Sequence, residues 1–127
     1  MQNKKNKRKR QKSSLIKELD RLFSLIVRTK QPFCFCCGTK DNLTCGHLIS
    51  RTVYSVRWDF DNARTQCIKC NLLHEYRPEI FTNLWIKENG LNKYQELIKK
   101  TQNKIKFKNS DLLKKIEDFS KILKEFE

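Results

Sequence analysis

CFCCG at residues 34–38 and QCIKCN at residues 66–71 are the two stretches whose reading decides the fold. Cys34 and Cys37 form one C-x-x-C pair, closed by Gly38, and Cys67 and Cys70 form a second. Two such pairs have the spacing of a tetrahedral zinc site with four thiolate ligands. Each pair bends the backbone into a tight knuckle, and four protein ligands leave no open position for chemistry. The expected zinc is therefore structural. The chain between the pairs is longer than a minimal zinc ribbon needs, which leaves room for a hairpin. Cys36 and Cys45 fall outside the pattern and are read as bystanders, small interior thiols. A shift in local register would let either stand in for Cys34 or Cys37.

Working outward, the chain of 127 residues is the size of one domain with a modest core, so a metal staple matters for stability. No apolar stretch follows the basic N-terminus to make a signal peptide, so reduced thiols and a cytoplasmic location are expected. No window approaches the roughly 18 to 20 apolar residues of a membrane-spanning helix. The formal net charge is +14. That surplus excludes a polycationic partner and points to a polyanion, DNA in the first instance. Half of it sits in Lys4, Lys5, Lys7, Arg8, Lys9, Arg10 and Lys12, a run that reads either as a DNA contact or as a solvated or localisation segment.

Residues 1–12 contain no apolar side chain except Met1 and are expected to form a disordered basic arm. Residues 13–31 read as an N-terminal helix carrying Leu15, Leu19, Leu22 and Ile26, ending before Pro32. Residues 32–90 form the core, with a short hairpin around the β-prone Val53, Tyr54 and Val56. Helical signals resume at Asn71 to Glu75 and again from Pro78 to Asn89, with Gly90 as the stop. Residues 91–127 hold two more helices, about Asn92 to Gln102 and onward from Ser110 or Asp111. The apolar stripe of the last one, from Leu112 to Phe126, serves packing against the first helix or a dimer contact, and the former is the commoner use.

The chemistry concentrates near the cysteines. The chain has two histidines, His47 and His74. Asn71 directly follows the last zinc cysteine, so a locked knuckle fixes the start of its helix. His74 and Glu75, three and four residues on, share its face. An amide oxygen, an imidazole and a carboxylate suit magnesium, manganese or nickel. His47, at a strand end facing that helix, is placed to take a proton from water. Asn62, in the loop before Cys67, is placed to steady the His47 ring through a backbone hydrogen bond. An isolated histidine is more often a packing or surface residue, and the cysteine frame is what distinguishes this one.

Together, C-x-x-C-G, then Gly46-His47, then Asp61-Asn62 with Cys67, Cys70 and Asn71, resemble the HNH (ββα-metal) nucleases. Within them the chain is most similar to the phage NinG/Rap recombination nucleases, through Gly46-His47, Ser50-Arg51 and the QCIKCN run. It is also similar to phage endonuclease VII, which resolves branched DNA and has a four-cysteine zinc followed by a metal-binding asparagine. The likeness covers about residues 33–97. It implies an α+β fold, a small zinc-stapled ββα-metal core with flanking N- and C-terminal helices. It implies His47 as general base, Asn62 as the loop-fixing asparagine, Asn71 as ligand of a catalytic Mg2+ or Mn2+ ion, and His74 as a second ligand. Many HNH enzymes carry an aspartate or histidine ligand just before the base, where this chain has Gly46. Either His74 or Glu75 replaces it, or His47 itself binds the metal and another group activates water.

The resemblance implies hydrolysis of phosphodiester bonds, leaving 5′ phosphates, on branched or recombining DNA. A resolvase acts at two strands, so a homodimer accompanies that expectation. Arg51, Arg57, Arg64, Lys69 and Arg77 surround the motif as candidate phosphate contacts. Trp58 and Tyr54 read as hairpin core ahead of base stacking. A non-catalytic zinc DNA-binding module is the competing class, since four cysteines and the charge suffice for it. A toxin or homing-type nuclease is a third.

Overall fold

The computed structural model describes residues 2–127. Its elements are α1 (Gln2–Lys30), β1 (Leu43–His47), α2 (Tyr54–Arg57), a 3-10 turn (Phe60–Asn62), β2 (Ala63–Cys67), α3 (Ile68–Tyr76), α4 (Pro78–Asn89), α5 (Leu91–Lys100) and α6 (Asn109–Lys124). The class is α+β, with helices and one two-stranded antiparallel sheet among the described residues. Among the described residues no helix is long and apolar enough to cross a membrane. The chain divides into two compact units, the residues up to Ile26 with Lys106–Glu127, and Val27–Ile105.

In the first unit, Leu19, Phe23 and Ile26 of α1 and Leu112 and Phe119 of α6 are buried. The Phe23 and Phe119 rings stack with centroids 5.9 Å apart. The stripe on the last helix is thus used, in part, against α1 of its own chain. Residues 2–12, read from sequence as an unstructured arm, are instead the opening turns of α1, while Met1 lies outside the described residues. Lys, Arg and Gln are good helix formers, and a helix already nucleated at Leu15–Ile26 extends one hydrogen bond at a time without a new nucleus.

The second unit is built on Leu48, Val56, Phe81, Trp85 and Leu97, with Phe35, Ile49, Val53 and Tyr94 packed around them. Pro78 opens α4 and Gly90 ends it, at the positions their backbone preferences predict. The hairpin is not where β propensity placed it. Val53–Val56 turns into α2, and the strands are Leu43–His47 and Ala63–Cys67, paired from Leu43↔Cys67 to His47↔Ala63. Propensity is overridden by burial: Val56 faces the core, and the backbone of the intervening loop is hydrogen-bonded by Asn62 rather than by a neighbouring strand.

Candidate metal centre and the neighbouring hairpin

Two knuckles converge, as the spacing predicts. The sulfurs of Cys34, Cys37, Cys67 and Cys70 all lie within 4.8 Å of one another. Cys37 Sγ and Cys67 Sγ are 3.8 Å apart. A tetrahedral ion with metal–sulfur bonds near 2.3 Å has edges of about 3.8 Å, so these four residues fit a zinc-like ion. Backbone geometry is arranged to the same end. Gly38 adopts φ 78°, the left-handed conformation that closes the first knuckle, and its N–H donates to Cys34 O at 2.9 Å. The N–H groups of Cys37 and Cys70 donate to Cys34 Sγ and Cys67 Sγ, each at 3.4 Å.

Burial pushes the Cys34 thiol up, but backbone N–H bonds from Cys67, Cys37 and Cys36 outweigh it and hold it at about 6. Cys70 moves the other way, raised by burial and then by the sulfurs of Cys67, Cys37 and Cys34. One thiolate forms easily and resists company, a conflict that a bound cation relieves. Cys36 stands outside the cluster, its thiol raised chiefly by burial while it accepts from Gln66 Nε2 at 3.3 Å.

From this frame β2 runs back to Asn62, which is fully buried. Its Oδ1 accepts from Ile49 N at 2.7 Å, and its Nδ2 donates to Ile49 O at 2.9 Å and Val56 O at 3.0 Å. Asn62 therefore clamps both ends of the loop that follows β1. One residue beyond that clamp, Arg57 O lies 3.0 Å from His47 Nε2. A carbonyl only accepts, so Nε2 carries the proton and the basic lone pair is on Nδ1. Asn62→Ala leaves the N–H and the carbonyl of Ile49 without their partner in the interior, while Val56 O keeps the N–H of Asp59, and is expected to cost about 2 to 4 kcal/mol. Urea melts compared with wild type measure it; a change within error would show that the clamp holds nothing.

Asn71 is held by the sheet. Its Nδ2 donates to Thr44 Oγ1 at 3.1 Å, and that hydroxyl donates to Gln66 O at 2.8 Å, which leaves Asn71 Oδ1 as the atom to accept or ligate. The expected trio of Asn71, His74 and Glu75 does not assemble. His74 turns inward, Nε2 3.2 Å from Leu48 O and its ring 5.2 Å from that of Phe81, with Nδ1 buried, whereas Glu75 is exposed. Packing of α4 against α3 decides this, since helical spacing sets a shared face but not its direction. Asn71 and His47 are likewise held by different elements. Strand alternation sends Thr44 and Gly46 to one face of β1 and Cys45 and His47 to the other.

With this geometry in view, the whole chain, residues 1–127, matches the family model of the Bacteriophage Lambda NinG protein. The chain belongs to the NinG family. No curated protein and no solved structure matches it.

The NinG-family chain also explains its own Gly46. A Cβ at that position would overlap Cγ, Cδ and Oε1 of the fully buried Gln66 side chain, so no acidic ligand can stand there. Gly46→Ala is expected to destabilise by about 1 to 3 kcal/mol through overpacking, and Gln66→Ala in the same chain to recover part of it. Thermal melts of the two single variants and the double variant give the coupling; strict additivity would rule the contact out as the cause. Thr44 and Gln66 were the residues that sequence reading passed over, although the QCIKCN run contained one of them.

Of the five basic residues around the motif, two are engaged internally. Arg57 is buried, donates to Arg51 O at 3.1 Å and lies against the rings of Tyr54 and Trp58. Arg64 Nη1 donates to Ala63 O at 2.7 Å and Phe60 O at 3.1 Å. Arg51, Lys69 and Arg77 are exposed, and Arg77 pairs with Glu79.

Proposed function

We propose that this chain is a metal-dependent DNA endonuclease of the HNH type, hydrolysing phosphodiester bonds in branched or recombining DNA. The observation that carries the reading is the imidazole of His47, fixed in one tautomer by Arg57 O at the end of a loop clamped by Asn62. Held so, His47 Nδ1 takes a proton from the attacking water, and the oriented ring loses no time searching for that geometry. Zinc at the four cysteines keeps the hairpin and α3 together and takes no part in the reaction.

Asn71 Oδ1, presented by Thr44, is an oxygen donor of the kind a hard cation takes. Asn71 would hold a Mg2+ or Mn2+ ion through Oδ1, and such an ion would supply charge stabilisation to a bound phosphate. The exposed Arg51, Lys69 and Arg77 grip neighbouring phosphates without reading bases. The products carry 5′ phosphates.

A second reading, a DNA-binding module without catalysis, draws support from the inward turn of His74, the exposure of Glu75, and the placing of His47 and of Thr44, which holds Asn71, on opposite faces of β1. Supercoiled plasmid, linear duplex and synthetic four-way junctions, incubated with magnesium or manganese, separate the two. Cutting of junctions ahead of linear duplex is the expected result. Binding without any cutting favours the module, and equal cutting of junction and duplex removes branched DNA as the preferred substrate.

A further inference from the structure

The cations of the N-terminal run have no role in the chemistry above, and the structure gives them a place. Lys4, Lys5, Lys7, Arg8, Lys9 and Arg10 are exposed on the first turns of α1 and Lys12 is half-buried, and the first acidic residue of the chain is Glu18. This is an unfavourable way to begin a helix. The positive end of the helix dipole meets positive side chains, and Lys4, Arg8 and Lys12, like Lys5 and Lys9, stack like charges at i, i+4. No carboxylate among the described residues is paired with any of the seven. Such an arrangement favours an anion beside it.

A second observation, from a different element, marks a place that an anion would fit. Arg8, Lys9 and Lys12 border an open groove of about 510 Å³ whose other wall is Lys108, Asn109 and Ser110, at the start of α6. Both walls belong to one compact unit. The N-terminus of the 16-residue α6 adds its own positive end to the groove. Asp111, the nearest carboxylate on α6, is turned to the backbone N–H of Lys108 at 2.8 Å. Along α1 the stripe from Lys4 through Arg8 to Lys12 advances about 6 Å per step, so it meets a row of charges and not a single one.

We propose that the opening turns of α1 and the start of α6 form a sequence-independent grip on the phosphodiester backbone of duplex DNA, separate from the residues around His47. The inference rests on the DNA part of the function proposed above and does not need cleavage to occur. A row of regularly spaced anions matches duplex DNA better than a single phosphate does, and the mixed amide, hydroxyl and cation lining suits phosphate oxygens.

The test uses the full chain in a His47→Ala background, so that nothing is cut. Anisotropy of a short fluorescein-labelled duplex is followed at rising salt for the parent, for Arg8→Gln/Lys12→Gln/Lys108→Gln, and for Lys87→Gln/Lys99→Gln/Lys104→Gln, which removes the same charge elsewhere. The groove triple is expected to lower the slope of log affinity against log salt by about 2.7, since each phosphate contact contributes about 0.9. The control triple is expected to change it by less than one contact. Equal losses in both triples overturn the proposal, reducing the run to bulk charge. Loss confined to anionic lipid vesicles or single-stranded RNA, with duplex binding intact, overturns it as well. A wild-type chain that grips through the groove but never cuts sinks the nuclease reading and leaves this one standing.

Discussion

Cys67→Ser is expected to leave Val27–Ile105 without a cooperative fold. Cys67 holds three jobs at one position. It closes β2 opposite Leu43, it is 6% exposed within the sulfur cluster, and its Sγ caps α3 by accepting from Cys70 N. Zinc bound to four thiolates contributes about 10 to 16 kcal/mol, whereas a domain of this size is stable by about 5 to 15 kcal/mol. Losing one ligand therefore exceeds what the small core around Trp85 can replace. Circular dichroism and thermal melts, with zinc counted by elemental analysis, measure the effect. One ion per wild-type chain is expected, and chelation should reproduce the variant. Cys36→Ser and Cys45→Ser, outside the cluster, should retain the ion and the melt. A native melt in Cys67→Ser, or indifference to chelator, would end the metal-staple account.

His47→Ala should do the opposite: keep the fold and lose the reaction. The side chain is half-buried at the end of β1, and the Arg57 O that it bonds can be satisfied by water in its absence. A positioned general base contributes roughly 10² to 10⁴ in rate. Plasmid nicking with manganese should fall by that factor, while the melting temperature stays within a few degrees. Asn62→Ala provides the contrast, since it should lower stability and activity together by releasing the loop that aims the ring. Undiminished nicking by His47→Ala would take this histidine out of the mechanism and direct attention to Asn71 and its neighbours.

These two outcomes separate what a linear reading of the chain reaches from what it does not. The cysteine cluster was legible because C-x-x-C is a local geometry: two residues between the thiols shape the knuckle whatever surrounds it, and Gly38 supplies the one backbone conformation it requires. Helix α4 was legible for the same reason, with Pro78 and Gly90 as its own punctuation. The basic run was visible as charge, but its helical form depended on continuation from Leu15–Ile26.

The site beside the cluster was only partly legible. Sequence singled out His47, Asn62 and Asn71, yet their partners lie far along the chain: Asn62 reaches Ile49 and Val56, and Asn71 reaches Thr44 across 27 positions. No spacing rule encodes such contacts. Helical periodicity put Asn71, His74 and Glu75 on one face, but only the packing of Phe81 and the carbonyl of Leu48 drew His74 inward and left Glu75 in solvent. Arg57 and Arg64 looked like phosphate contacts because charge usually faces water, until backbone carbonyls and aromatic rings claimed them. What the chain determined by itself was every feature set by residues within a turn or two of one another. What tertiary structure alone decided was the direction of each side chain, because direction is set by whatever packs across from it.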